Sequence, residues 1–576
     1  MIDGLFLPFL VYFIGALVVA VLPYARLRAA LSLIVPVIGF YLIWNMPMGN
    51  HGQVEFFGLD LTLLRVDKLS MIFGIIFSLA AFLSCLYAWH IRDKVQQIAA
   101  LLYAGSAIGA VFVGDLISLF FFWEGTAIAS VFLIWARRTE GAFYTGMRYL
   151  VVQIASGVIL IAGVALYYQA AGTIAFDKMV LPMLWPSDWG VGELGLWLIF
   201  LSFGIKCAFP LLHNWLQDAY PAATVTGTVM LSAFTTKLAV YALARGFPGT
   251  EILIPIGAIM TLFPIFYAVI ENDLRRVLAY SLNNQLGFMV VGVGVGTELA
   301  LNGTAAHAFV HILYKALLFM SVGAVLFRTG TAKGSELGGL YRTMPLTMIF
   351  CVVGAASISA FPLFSGFVAK SLILSGAAKE GYWIVWLILV FASAGVFHHS
   401  GIKIPYFAFF AHDSGLRPKE APTHMLIAMG LTAAGCIIIG VFPSVLYDLL
   451  PYKVKYVPYT TTHVITQLQL LFFSALAFTV LMRWKIYPPE LKSVNLDSDW
   501  FYRRALKAVV NYIAVIVRAV FVGVTGFINR SAVRLVEELH ESHGPEGPRA
   551  ASWPAGAMVL SIAALLGLTL FVIFFS

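Results

Sequence analysis

Apolar residues run along this chain in blocks about twenty residues long, separated by short polar stretches, from one end to the other. That is the helix length a bilayer core requires. Backbone groups in lipid must bond within their own segment, so the blocks are helices. They predict about sixteen spans, over 5–22, 29–45, 69–90, 98–114, 116–135, 147–168, 194–219, 222–245, 251–270, 276–296, 301–327, 346–378, 382–410, 424–446, 463–482 and 555–575. Two of these, 194–219 and 346–378, are long and contain proline. The first carries Phe209-Pro210-Leu211 and the second Phe361-Pro362-Leu363. Interrupted helices at matching places in two halves point to an internal repeat. Spans four to eight form one half and nine to thirteen the other.

The predicted fold is an all-α polytopic membrane protein of about 14–16 transmembrane helices. Its expected parts are N-terminal helices over 1–97, a first repeat over 98–245, a second over 251–410 and further helices over 424–482. A charged segment over 486–550 and a final helix over 555–576 follow. In 486–550, apolar residues interleave with Arg503, Arg504, Lys507, Arg518, Arg530 and Arg534 at near-helical spacing. An amphipathic helix along the membrane face fits that pattern. A tilted span over 506–527 is the competing reading, and Asn511 and Arg518 disfavour it.

Composition agrees: of 576 residues 61% are hydrophobic and 11% charged. Mean hydropathy is +0.90. The net charge of +8 does not point to nucleic acid, because the positive residues cluster in alternate loops. Arg26/Arg28, Arg92/Lys94, Arg137/Arg138, Arg275/Arg276, Arg328/Lys333/Arg342 and Lys403/Arg417/Lys419 mark one face, a positive-inside pattern. It predicts an N-terminus outside and a cell (inner) membrane location. No basic region precedes the first block, which reads as a retained helix and not a cleaved signal. Cys85, Cys207, Cys351 and Cys436 lie far apart, with no metal or redox spacing.

Polar residues inside the blocks carry the functional signal. Lys206 lies four residues before Pro210 in LIFLSFGIKCAFPLL. A charge there costs roughly 2.5–3.5 kcal/mol on insertion scales. Pro210 has no N–H, so the Lys206 carbonyl loses its helical partner. A titratable group at a helix break is typical of a transport pathway. Glu124, in GDLISLFFFWEGTAIAS, is the natural counter-charge; an interfacial glutamate is the plainer alternative. Lys237, in TVMLSAFTTKLAVYALAR, is too deep for easy snorkelling. His307, His311 and Lys315 fall at i, i+4 and i+8, a single helix face that predicts a proton relay. No third metal ligand accompanies the two histidines. Lys370 follows the second break, where a snorkelling helix-end lysine is the alternative. Asp115, His213 and Asp218 either line an aqueous vestibule or cap helix ends. The GVGVG run at 292–296 is no nucleotide loop, since no strand precedes it. No haem, flavin or iron–sulfur pattern is present, so no cofactor is expected.

Taken in order, GDLISLFFFWE, GIKCAFPLLHNWLQDAYPAA, TTKLAVYALAR, ENDLRRVLAYSLNNQLGFM, HAFVHILYKALLF and FPLFSGFVAK resemble the motifs of the antiporter-like subunits. These occur in respiratory complex I, membrane-bound hydrogenases and multisubunit Mrp-type cation/proton antiporters. The resemblance covers roughly residues 66–380 and is nearest the D-type members of the Mrp antiporters. It implies two inverted five-helix repeats, each with a broken helix. It also implies that Glu124 pairs with Lys206, that Lys237 is the central lysine, and that His307, His311 and Lys315 connect it to a terminal Lys370. Gln285 stands where some members have histidine. The tail after the fourteenth span is similar to the distal complex I subunit.

The expected function is a proton-translocating subunit of a multisubunit cation/proton antiporter. Its partners would be other hydrophobic subunits, the bilayer, H+, and Na+ or K+. The alternative is a proton-pumping membrane subunit of a redox complex whose centres lie on other chains. A third reading is a scaffold that recruits a soluble partner through the tail.

Overall fold

The computed structural model describes residues 6–182, 190–488, 490–491, 495–549 and 553–575. The expected boundaries at residues 1, 5, 550 and 576 lie outside them. Two compact units result, Met1–Asn495 and Leu496–Ser576.

The first unit is a helical bundle. Its helices are α1 Pro8–Val21, α2 Ala25–Trp44, α3 Lys68–Tyr87, α4 Lys94–Phe112, α5 Leu116–Trp135, α6 Glu140–Ala171, α7 Val191–Lys206, α8 Asn214–Ala222, α9 Val225–Ala233 and α10 Thr235–Gly246. There follow α11 Leu253–Ile270, α12 Leu274–Val295, α13 Glu298–Thr329, α14 Pro345–Ile358 and α15 Ser365–Lys379. The last three are α16 Trp383–Phe410, α17 Thr423–Val441 and α18 Thr461–Arg483. The second unit holds α19 Phe501–His543 and α20 Ala555–Phe575. Among the described residues, 13 helices are long and apolar enough to cross a membrane. Every expected span has its helix or helix pair.

The two spans that share Phe-Pro-Leu break, and in the same way. Ala208 (φ 60°) and Leu211 (φ 69°) flank Phe209-Pro210; Ala360 (φ 56°) and Leu363 (φ 73°) flank Phe361-Pro362. In each, the phenylalanine N–H reaches back five residues, to Gly204 O and to Ala356 O, over 3.0 Å. This is the Schellman closure that satisfies carbonyls at a helix end. Pro210 and Pro362 cannot resume the helix there, so α7 gives way to α8 and α14 to α15.

A third break carries no proline. The expected 222–245 span divides at Phe234 (φ −104°, ψ −69°) into α9 and α10. Side chains take the freed backbone groups. Tyr220 Oη donates to Leu231 O at 2.7 Å and Lys237 Nζ to Ser232 O at 2.7 Å, while Thr235 N donates to Tyr103 Oη at 3.0 Å.

The loop expected between 45 and 69 holds an antiparallel hairpin, β1 Gly49–Phe56 and β2 Leu59–Val66. Phe57 (φ 51°) and Gly58 (φ 75°) form its two-residue turn, the backbone twist that tight hairpins favour. The hairpin ties helix ends together: Thr62 N donates to Asp115 Oδ2 at 2.9 Å and Gly114 N to Thr62 O at 2.8 Å. A span-length hydropathy window averages away the alternation of eight-residue strands.

The core is polar as well as apolar. α13 is 32 residues long and buried along nearly all of its length. It packs against α12 and α15, and its inward face carries the histidine–lysine stripe.

Candidate functional site

The site is a row of ionisable side chains sealed inside the first unit. Lys206, Lys237, His307, His311 and Lys315 are 0% exposed and Lys370 is 1% exposed.

Lys206 ends α7. Its ammonium donates to the Trp123 carbonyl and, at 2.9 Å, to Thr126 Oγ1 on α5. It also lies 4.3 Å from the Trp123 ring centroid, a favourable cation–π placement. Glu124, one residue along α5, points elsewhere. It is half-buried, and its Oε1 lies against Gly157 of α6, where a Cβ would come within 1.4 Å of it. Gly157 is the space Glu124 occupies. The lysine ammonium is thus bonded to the backbone and hydroxyl beside Glu124, not to its carboxylate.

Lys237, in the first turn of α10, uses the third break. Its Nζ donates to Ser232 O and to Thr236 Oγ1 at 3.2 Å. Lys315 donates to Ser281 Oγ at 2.9 Å and to Leu278 O at 3.4 Å, both on α12. On α13, His307 Nε2 lies 2.8 Å from Tyr314 Oη and 3.2 Å from Gln285 Oε1, and Tyr314 Oη donates to Gln285 at 3.1 Å. Gln285 in turn donates to Asn284 Oδ1 at 2.6 Å. Tyr314 lies seven residues past His307 on the same face, a helical spacing that the stripe of titratable residues already suggests. Ser281 lies four residues before Gln285, and only the packing of α12 on α13 brings it to Lys315.

Lys370 on α15 donates to Ile358 O at 2.6 Å, across the second break. Its Nζ lies 5.3 Å from the Phe288 ring centroid, and that centroid is 5.9 Å from the His307 ring. Several buried polar atoms along this row have no hydrogen-bond partner among the described residues: both ring nitrogens of His311, His307 Nδ1, and both amide atoms of Asn283 and Gln217.

Asp115, His213 and Asp218 do not share one vestibule. Asp115 is the N-cap of α5, accepting from Ser118 N at 2.6 Å. Asp218 faces Arg148 and Arg276, each at 3.8 Å. Past the other end of α5, Arg137 donates to Pro221 O at 2.8 Å, near Asp218. A 20-residue helix spans about 30 Å, so Asp115 and Asp218 lie at opposite ends of the bundle. His213 is buried, with its ring 4.5 Å from that of Phe263. Among the described residues no group of three or more His, Cys, Asp or Glu is placed to hold a metal ion.

A family model described as NADH:quinone oxidoreductase/Mrp antiporter, TM, matches residues 113–395, which include every lysine and histidine above. NADH-quinone oxidoreductase subunit N of Desulforudis audaxviator is 30% identical over 368 residues, 59% of this chain and 73% of that protein. The D-type Na(+)/H(+) antiporter protein of Alkalihalophilus pseudofirmus is 31% identical over 316 residues, 53% of this chain and 64% of its own length. Among solved structures, the Mrp complex from Dietzia sp. DQ12-45-1b matches 92% of this chain and 62% of its own, with TM-score 0.75 and 24% identity. The membrane-bound sulfane sulfur reductase, an archaeal respiratory membrane complex, matches 98% of this chain and 99% of its own, with TM-score 0.70 and 20% identity. These two likenesses concern the fold.

Proposed function

Because the chain belongs to the NADH:quinone oxidoreductase/Mrp antiporter family, we propose that it is the proton-carrying subunit of a multisubunit cation/proton antiporter. It is a multi-pass membrane protein that translocates protons. The observation that carries the reading is the row itself: four lysines and two histidines held at 0–1% exposure in the bundle. Desolvated charges are kept in membranes for ion or proton movement.

The proton path runs from Lys206 through Lys237 and the His307/His311/Lys315 stripe to Lys370. Lys206 acts as the gate. Beside Glu124 its charged form gains a counter-charge. Turned to Trp123 O and Thr126, as in this structure, it keeps hydrogen bonds but not the carboxylate, and yields its proton to Lys237. Water joins the steps. An unpartnered buried polar atom costs about 1–3 kcal/mol, and ordered water is the usual remedy. That favours hydration around His311, Asn283 and Gln217. Na+ or K+ is the exchanged cation, and other hydrophobic subunits complete the complex.

The N-terminus lies outside, in a cell (inner) membrane, by the distribution of arginine and lysine among the loops. The 43-residue α19 is roughly 64 Å long, twice the bilayer core. It lies along the membrane face.

The test is ΔpH-driven exchange in everted vesicles carrying the whole complex with Lys206→Ala or Glu124→Ala. Both variants are expected to lose exchange at normal assembly; wild-type rates in both reject the scheme. A redox-driven pump is the second reading, favoured by the identity with the quinone oxidoreductase subunit. Co-purification with iron–sulfur or flavin subunits would select it.

A further inference from the structure

Beyond Lys315 the hydrogen bonds continue onto α16. Ser281 Oγ, which accepts from Lys315, also accepts from Ser400 Oγ at 2.8 Å. Ser400 Oγ lies 2.9 Å from His399 Nδ1. Lys315, Ser281, Ser400 and His399 are all 0% exposed, so this is a continuous wire of four buried polar side chains. Lys370 makes a different contact: its ammonium bonds to a backbone carbonyl.

Ser400 and His399 sit in a local irregularity of α16. Residues Phe397–Ile402 form a π-helical turn, a widened stretch that recurs at functional sites. The turn is pressed against the second break, since a Cβ on Gly401 would lie 2.3 Å from Ser359 Oγ. The far nitrogen of the ring, His399 Nε2, is buried without a hydrogen-bond partner among the described residues.

Four residues on, Lys403 extends the same helix face. It counts among the loop charges by sequence, yet it is 0% exposed. Its Nζ caps the end of α11, donating to Val269 O at 2.7 Å and Glu271 O at 2.6 Å, and pairs with Glu490 Oε1 at 2.9 Å. Glu490 lines an open cavity of about 480 Å³, together with Phe407, His412, Lys485 and Tyr487. Gly334 and Ser335 of the loop bearing Lys333 and Arg342 border it. The cavity therefore opens on the face that the positive-inside distribution assigns to the cytoplasm.

We propose that the relay has a side branch: a proton leaves Lys315 through the hydroxyls of Ser281 and Ser400, crosses the ring of His399 and emerges beside the Lys403–Glu490 pair into this cavity. The inference rests on the reading of Lys315 as part of the proton path. Protons balance at each step. Lys315 gives one to Ser281 Oγ and becomes the neutral amine. Ser281 passes its own hydroxyl proton to Ser400, Ser400 passes its own to His399 Nδ1, and the proton on His399 Nε2 departs to water. Ser400 now donates to Ser281 and so accepts from His399 Nδ1; both hydroxyls must turn and the ring must take its Nε2–H tautomer before a proton can move outward. That rotation makes the branch a gated one. Glu490 holds negative charge at the mouth, where it attracts the emerging proton and balances Lys403.

The experiment uses the whole complex in everted vesicles, with His399→Gln, Ser400→Ala, Lys315→Ala and Lys206→Ala compared at equal assembly. Glutamine keeps a hydrogen bond to Ser400 but cannot relay a proton; alanine at 400 removes one oxygen and cuts the wire. A tenfold or greater loss of exchange in both His399→Gln and Ser400→Ala, with the complex intact, supports the branch. Should His399→Gln disturb assembly, Ser400→Ala decides alone. Wild-type exchange in Ser400→Ala, with Lys315→Ala and Lys206→Ala inactive, overturns the branch and leaves the main path standing. Wild-type exchange in Lys315→Ala and Lys206→Ala as well removes the proton-path reading itself.

Discussion

Lys370 Nζ donates to the Ile358 carbonyl over 2.6 Å, and Ile358 stands four residues before Pro362, as Lys206 stands four before Pro210. The two breaks therefore carry their lysines differently: Lys206 stands at that position and sends its ammonium across to α5, while Lys370 brings its ammonium to the carbonyl there. In the first half the lysine grows from the residue before the break. In the second it reaches back from the helix after it.

Lys370 has no carboxylate among its partners in the described residues, so its charge is retained at a cost to the fold. Lys370→Met is expected to reduce exchange at least tenfold while the melting temperature of the purified complex stays level or rises. Paired vesicle assays and thermal unfolding check this; a lower melting temperature with exchange intact would make the lysine structural.

Gly157 has a role that only geometry reveals. A methyl group there would collide with Glu124 Oε1, so Gly157→Ala must swing the carboxylate away from α6. Exchange should fall about tenfold. In a Glu124→Ala background the same substitution should cost nothing more, because the two changes act through one contact. Equal losses in both backgrounds would refute the coupling.

The third break depends on the Tyr103 hydroxyl, which takes Thr235 N at 3.0 Å and lies 2.6 Å from Thr235 Oγ1. Tyr103→Phe leaves a buried N–H without its partner, at about 1–3 kcal/mol. The expected result is a lower melting temperature, and weaker exchange through displaced Lys237. Unchanged unfolding would show that α9 and α10 can rejoin as one helix.

Three residues beyond the observed end of α3 at Tyr87, His90 Nδ1 lies 2.9 Å from His424 Nε2. Burial first, and then the His424 charge, push His90 down from 6.5 to about 4. Above pH 6.5 neither the folded nor the unfolded chain protonates this ring. Between 6.5 and 4 the unfolded chain binds the proton and the folded one does not, so stability falls as the medium is acidified. Melting temperature followed from pH 7 to 4 should drop less steeply in His90→Asn than in the parent; identical slopes would remove His90 as a source.

Spans and breaks were legible because hydropathy and proline act locally. The shared Phe-Pro-Leu fragment marks two turns whose φ angles and hydrogen bonds coincide. The lysines and histidines at bilayer depth stood out because lipid makes such residues expensive wherever they are not needed. What stayed hidden depends on contacts distant in sequence. The break at Phe234 has no proline and is held by Tyr103 and Tyr220. The hairpin is two eight-residue strands whose alternation a span-length window averages away. Lys403 reads as a loop charge because its partner, Glu490, comes 87 positions later. The side-branch serine on α12 is unremarkable until α16 packs against it. Asp115 and Asp218 look equivalent in sequence, yet one caps a helix beside the hairpin and the other faces two arginines at the opposite end.

The twinned Phe-Pro-Leu turn separates scaffold from cargo. Since its backbone closes identically whether the amine hangs from the preceding or the following rod, the hinge does not care who supplies the cation. A redesign could relocate that amine from one side to the other, trading leverage for reach, without recutting the joint.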